Sequence, residues 1–281
     1  MSESVAEATT ISSSSIAGAR GFIFDMDGVL YRGTLALPGV NDLFNALTLR
    51  EIPFLLATNN SMATQATYVQ RMAAMGVEVT EDQIQTSATV TRDFLRDELP
   101  EGAVILPVGM PPLVETLQSG TSFRLADDHP DEPIDAVVVG LDLDFTYAKL
   151  RRASDVVRSG ATYVATNADA TLPHETGMQP GAGSIVAAIS AASGKTPIVI
   201  GKPQTMMMTR GVEQLGLTPP EVIMVGDRLD TDVLSGSRAG LRTALVLTGV
   251  SQRSDLAAAE VLPDFIFDDL PAMTQAIVGH G

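Results

Sequence analysis

Asp25 and Asp27 stand two residues apart at the end of an apolar run, Phe22-Ile23-Phe24, and Gly28 follows at once. A run of that kind reads as a short buried strand. Its C-terminal end is where open α/β sheets place their ligands. Two carboxylates this close repel unless a cation or a proton compensates them. Taken alone, the stretch favours an ordinary solvated turn, because Asp and Gly are common turn formers. Three further segments give it another meaning.

In Leu55-Leu56-Ala57-Thr58-Asn59-Asn60-Ser61 a strand ends in Thr58, and a helix is expected from about Ser61. Asn60 or Ser61 could act there simply as an N-cap. Thr58 adds a hydroxyl that, with the following backbone N–H groups, suits an anion near a helix N-terminus. In Ile198-Val199-Ile200-Gly201-Lys202-Pro203 the glycine permits close approach and Pro203 suits a helix start, so Lys202 is held at a strand end. In Val222-Ile223-Met224-Val225-Gly226-Asp227 a strand again ends in Gly-Asp, and Asp230 and Asp232 follow. Asp227 reads as a metal ligand with Asp232 supporting it, and Asp230 as a residue favoured by a helix dipole.

Together these residues form a chemical unit. Carboxylate and other oxygen donors suit a hard cation, and Mg²⁺ takes one or two carboxylates plus phosphate oxygens. Thr58 and Lys202 supply the donors and positive charge that a phosphoryl group needs.

Elements of both types must position these residues. Apolar β-branched runs at 21–25, 53–58, 103–108, 136–140, 162–166, 197–201, 221–226, 243–248 and 264–267 alternate with helical stretches at 62–75, 87–98, 147–159, 184–193, 204–215 and 231–239. That alternation predicts an α/β fold: a Rossmann-like, doubly wound parallel-sheet core. Residues 100–135 are rich in Pro, Gly, Asp and Glu, and 169–183 form a Pro/Gly loop. Both lie between the motif-bearing halves. The expected organisation is a disordered tail at 1–19, a core at 20–86 and 194–281, and an inserted α/β cap domain at 87–193. Met206-Met207-Met208 reads as packing.

The chain has 281 residues, 45% of them apolar, no cysteine and a net charge of −16. Disulfides and thiolate metal sites are excluded. The charge argues against nucleic acid and anionic membranes as partners. No apolar run approaches the ~20 residues of a membrane span. Residues 1–19 lack the basic and apolar regions of a signal peptide, so a cytoplasmic location is expected.

The order Asp-x-Asp, Thr, Lys, Gly-Asp resembles the haloacid dehalogenase-like phosphohydrolase superfamily, over nearly the whole chain from about residue 20. The stretches DMDGVLYRG (25–33), ATNNS (57–61), VVVGLD (137–142), ATNAD (165–169), PGAGS (180–184), GKP (201–203) and GDRLDTD (226–232) resemble most its branch with a class II α/β cap. That branch holds nitrophenylphosphatases, nucleotidase-like and sugar-phosphate phosphatases, and phosphatases of phosphoglycolate, glycerol phosphate and pyridoxal phosphate.

The resemblance implies an Mg²⁺-dependent phosphatase of small phosphorylated metabolites. Asp25 would be the nucleophile that forms an aspartyl-phosphate. Asp27 would protonate the leaving alcohol and then activate water, its pKa raised by neighbouring anions. Asp25, the Asp27 backbone carbonyl and Asp227 would hold Mg²⁺, with Asp232 behind them. Thr58 and Lys202 would hold phosphoryl oxygens, with Gly28, Asn59 and Asn60 lining the phosphate site and Lys202 also tying Asp25 in place. Specificity is expected from the cap loop Asn167 through His174, with Asp169, Pro173 and His174 facing the leaving group. Relatives acting on pyridoxal phosphate carry His-Pro in this loop, whereas this chain has Leu172-Pro173-His174. A homodimer through the cap is also implied. Two other readings use a similar site: a phosphomutase and a non-catalytic phosphometabolite sensor.

Overall fold

The computed structural model of the chain describes residues 16–174 and 177–279. Most of the expected tail, residues 1–15, lies outside them. Ile16–Gly18 forms a single helical turn, and Ile16 is buried in the core.

The principal sheet has six strands, all parallel, in the order Phe265–Phe267, Arg242–Val246, Val222–Gly226, Gly21–Phe24, Phe54–Thr58, Ile84–Thr86. The first strand of the chain therefore lies in the middle. Its successors build outward on one side, and the C-terminal strands build outward on the other. This is the topological switch point at which open α/β sheets bind ligands. Residues 21–24, 54–58 and 222–226 are buried throughout, as strands covered on both faces must be.

Phe24, Phe44 and Phe54 lock the central strands to helix Val40–Leu49, with the Phe44 and Phe54 ring centroids 4.7 Å apart. Each fully buried Phe contributes on the order of 1.5–3 kcal/mol. The strand that carries Asp25 is thereby fixed from behind.

A second sheet, also parallel, runs Ile198–Val199, Thr162–Ala165, Ala136–Val139, Val104–Val108, Arg124–Leu125. Its outer strand Ile198–Val199 lies beyond residue 193, on the returning chain. Helix Ser87–Glu98 places Ala88, Val90 and Leu95 in an apolar cluster that also holds Ile23 and Leu55 of the first sheet and Ile105 and Val138 of the second. Met207 and Met208 are buried in the same cluster, as packing residues.

Several elements differ from expectation. The stretch expected as a loop at 169–183 contains an antiparallel hairpin, Thr171–His174 with Gly177–Pro180. The helix expected from about Ser61 begins at Gln65. Its cap is Thr64, whose hydroxyl accepts from Thr67 N at 3.3 Å, rather than Asn60 or Ser61. The helix expected after Pro203 begins at Met206. Over 231–239 a wide turn, Leu229–Val233, precedes helix Leu234–Arg238. Among the described residues no helix is long and apolar enough to cross a membrane.

Candidate active site

Asp25 follows directly on its strand, and its N–H still bonds Val225 O at 2.8 Å. The chain then turns tightly: Leu30 N donates to Met26 O, and Gly28 N to Tyr31 O, both at 2.8 Å. Gly28 has φ 85°, and a Cβ there would stand 2.6 Å from Asp227 Oδ2. Only glycine allows the Asp25–Asp27 loop to lie this close to the next carboxylate.

Asp227 is gripped from the opposite side. Its Oδ2 accepts from Val250 N at 2.7 Å and its carbonyl from Ser251 N at 3.0 Å. A Cβ on Gly249 would fall 1.9 Å from Oδ2.

Lys202 is 2% exposed. Its Nζ lies 2.6 Å from Asp25 Oδ1 and 2.7 Å from Asp232 Oδ1, and donates to Ala57 O at 3.3 Å. Asp232 is fixed in turn by Arg228 N at 3.1 Å. Asp230 lies in the first turn of Leu229–Val233, as expected of a residue at a helix terminus, and also forms a forked pair with Arg228.

Asp25, Asp227 and Asp232 thus bring carboxylate oxygens within 4.8 Å of one another. Three carboxylates around one ammonium leave an excess of two negative charges in a buried place. Burial pushes the Asp25 carboxyl up to about 8, with Lys202 opposing the rise and Asp232 and Asp227 adding to it. Burial also pushes Asp227 up to about 6, assisted by the Asp232 charge. An all-oxygen set with surplus charge fits a hard divalent cation, which would return both groups to their ionised form.

Asp27 reaches the open side of the cavity. Its carboxyl is raised, as an acid requires, but partial burial is the cause. The charges acting on it are Arg71 and Arg32, which lower it, rather than the anions expected to raise it.

Thr58 is 7% exposed, and its hydroxyl accepts from Asn60 N at 3.1 Å. The Asn60 side chain closes a local turn onto Met62 N at 2.7 Å. The Asn59 side chain is wholly engaged with protein groups: Oδ1 accepts from Lys202 N, while Nδ2 donates to Lys202 O and Asp169 Oδ2. Asn167 and Ser87 both donate to the Asn59 carbonyl. Burial raises the Asp169 carboxyl.

A cavity of about 710 Å³ opens over these groups. Asp25, Asp27, Thr58, Asp169, Lys202 and Asp227 all line it, as do Gly28, Asn59, Asn60 and Asp232. Pro173 and His174 belong to the backbone of the hairpin, but their side chains lie outside the described residues. Leu172 does reach the cavity. Sequence reasoning missed Tyr31, Tyr68, Arg32 and Arg71 on the wall, and Gly249 beneath Asp227. The spacing of Tyr68 and Arg71, three apart in a helix, was the available signal for one face.

Two family models match the chain: "Haloacid dehalogenase-like hydrolase" over residues 22–120 and a HAD-hydrolase-like model over 199–273. An acid sugar phosphatase of Staphylococcus epidermidis is 36% identical over 251 residues, covering 89% of this chain and 95% of that protein. Among solved structures, a 4-nitrophenylphosphatase of Thermotoga maritima superposes with a TM-score of 0.86 at 35% identity, over 93% of this chain and 98% of its own. A p-nitrophenyl phosphatase of Archaeoglobus fulgidus gives 0.85 at 30% identity, over 92% and 99%.

Proposed function

The chain belongs to the haloacid dehalogenase-like hydrolases, as a phosphoric monoester hydrolase, and from that premise we propose that it hydrolyses small phosphomonoesters, sugar phosphates among them, through an aspartyl-phosphate with Mg²⁺ as its cofactor. The observation that carries this reading is the buried trio Asp25, Asp227 and Asp232 around Lys202, beside Thr58 and below an open Asp27.

An Asp25 carboxylate oxygen attacks phosphorus, and the bond from phosphorus to the substrate oxygen breaks. Asp27 delivers its proton to that leaving oxygen. The Asp27 carboxylate then takes a proton from water, which attacks phosphorus and releases phosphate from Asp25. Thr58 and Lys202 hold phosphoryl oxygens, and Lys202 orients the nucleophile through its 2.6 Å bond. Asp25, Asp227 and the Asp27 carbonyl would hold Mg²⁺, which supplies charge neutralisation at the phosphoryl group.

We assign residues 20–86 and 194–281 to the catalytic core and 87–193 to the cap, with Ile198–Val199 completing the cap's sheet. Asp169, on the cavity wall, is our candidate to meet the leaving group, with Pro173 and His174 further along in the hairpin. A homodimer through the cap and a cytoplasmic location complete the reading. Phosphate release from a panel of phosphomonoesters, with Mg²⁺ or with chelator, tests it. Mg²⁺-dependent turnover is expected. Isomerisation of a phosphosugar without phosphate release would overturn hydrolysis in favour of a mutase, and a single stoichiometric burst would favour a sensor.

A further inference from the structure

Among the described residues four cationic side chains line the cavity, and two are already neutralised. Lys202 lies between Asp25 and Asp232, and Arg228 forks onto Asp230 through Nε at 3.0 Å and Nη2 at 2.8 Å. Arg71 and Arg32 have no bonded carboxylate among the described residues. Arg71 Nη1 donates to the Tyr31 hydroxyl at 3.3 Å, and Arg32 donates to the Thr248 carbonyl. In a chain with 34 acidic and 18 basic residues, carboxylate partners are plentiful. Two arginines left without one on the wall of the reaction cavity need a reason.

The geometry of Arg71 supplies one. Its guanidinium lies over the Tyr31 ring, 5.2 Å from the centroid, and over the Tyr68 ring at 5.3 Å. Both tyrosines are buried, at 2% and 1% exposure. The cation is therefore held on a rigid aromatic base while, among the described residues, most of its N–H donors keep no protein acceptor. A planar guanidinium so held matches the oxygen pairs of a carboxylate or a phosphate. Both also flank Asp27, the group assigned to protonate the leaving oxygen: Asp27 bridges to Tyr31, which is the chain neighbour of Arg32 and the hydroxyl partner of Arg71, and all four residues line the cavity. They therefore stand on the side where the departing alcohol must lie.

We infer that Arg71, backed by Arg32, binds a second anionic group on the substrate, so that the preferred phosphomonoesters carry a carboxylate or a further phosphate on the leaving alcohol. This rests on the phosphomonoester reading above, and it selects within that class. The competing account is that Arg71 only tunes Asp27, which would affect every substrate alike.

Matched pairs separate the two. One arm compares 2-phosphoglycolate with phosphoglycolamide. The other compares propane-1,3-diol bisphosphate with propyl phosphate. In the wild-type protein with Mg²⁺, the charged member of at least one pair is expected to lead in kcat/KM by about tenfold or more, the scale of one charge-assisted contact. The arm that responds identifies the anion. In Arg71→Gln that ratio should collapse toward one, with Arg71→Lys retaining part of it. Equal rates within both pairs, or a ratio that Arg71→Gln does not move, would overturn the inference. If no compound turns over, the phosphatase reading fails separately. Calorimetric titration of the same pairs into the wild-type protein then decides the subsite on binding alone, tighter binding of a charged member supporting it and equal binding overturning it. The wild-type pairs also stand as the test if Arg71→Gln does not fold.

Discussion

The side chain of Asn59 holds Lys202 by both of its backbone polar groups, accepting from Lys202 N at 2.8 Å and donating to Lys202 O at 2.9 Å. The same amide donates its second proton to Asp169 Oδ2 at 3.1 Å. One side chain thus sets the place of the lysine against Asp25, the proposed nucleophile, and against the loop expected to meet the leaving group. Asn59→Ala should lower kcat/KM by about 10–100-fold through misplacement of Lys202. It should also destabilise the fold by about 1–3 kcal/mol, since buried groups lose partners. Asn59→Asp should be worse, because it sets a carboxylate against the Lys202 carbonyl and Asp169. Steady-state kinetics and denaturant melts of both variants check this.

The two ends of the Lys202–Asp25 pair should respond oppositely to neutralisation. Asp25→Asn removes one of three crowded carboxylates and leaves Lys202 paired with Asp232. It should abolish turnover yet raise the melting temperature of the metal-free protein near neutral pH. Lys202→Met leaves buried carboxylates without their cation and should destabilise by about 3–5 kcal/mol. Thermal melts in chelator decide the signs.

The raised carboxyls also set a pH dependence. Asp25 moves from 3.8 to about 8 and Asp227 from 3.8 to about 6. Between those limits the native state holds protons that the unfolded chain has released. Stability of the metal-free protein should therefore fall as pH rises from about 4 to about 8. Mg²⁺ needs the ionised carboxylates, so its stabilising effect should grow over the same window. Melting temperatures across this range, with Mg²⁺ and with chelator, should diverge at the alkaline end. Parallel curves would contradict the assignment.

Gly249 touches no substrate in this account, yet a Cβ there meets Asp227 Oδ2 at 1.9 Å. Gly249→Ala should displace that carboxylate and weaken Mg²⁺ binding by about 10–100-fold, the range seen when the support of a metal ligand is disturbed. Titration of Mg²⁺ against thermal stability measures it directly.

The sequence made the parallel sheets and the order of chemical residues legible because each of Asp25, Thr58 and Asp227 closes a short, wholly apolar run. Burial on both faces leaves that pattern in the residues themselves. Strand Ile84–Thr86, only three residues long and ending in polar Gln85 and Thr86, carried no such pattern. Helix Val40–Leu49 buries Val40, Leu43, Phe44 and Leu47, a regular helical stripe that lay unread beside the louder motif before it. The role of Asn59 was beyond reach for a different reason. Its partners stand 110 and 143 positions away, and nothing local distinguishes an amide that binds substrate from one that binds backbone. Arg71 and Gly249 were hidden in the same way, since a charge with no bonded carboxylate among the described residues and a close approach exist only once the chain is folded.

Strand Ile198–Val199 pairs with Val164 and Ala165 of the second sheet, and Lys202 follows three residues later. Gly201 N bonds Thr166 O at 2.8 Å just before it. Lys202 therefore hangs from the edge of one sheet while its carboxylate partners, Asp25 and Asp232, follow strands of the other. The two sheets are not interchangeable modules. A chimera joined at residue 193 would splice a foreign sheet onto this lysine's own tether, and its junction would fall inside the proposed catalytic geometry. Exchange of the proposed cap between relatives should respect a seam after Pro203, so that the lysine travels with the sheet that aims it.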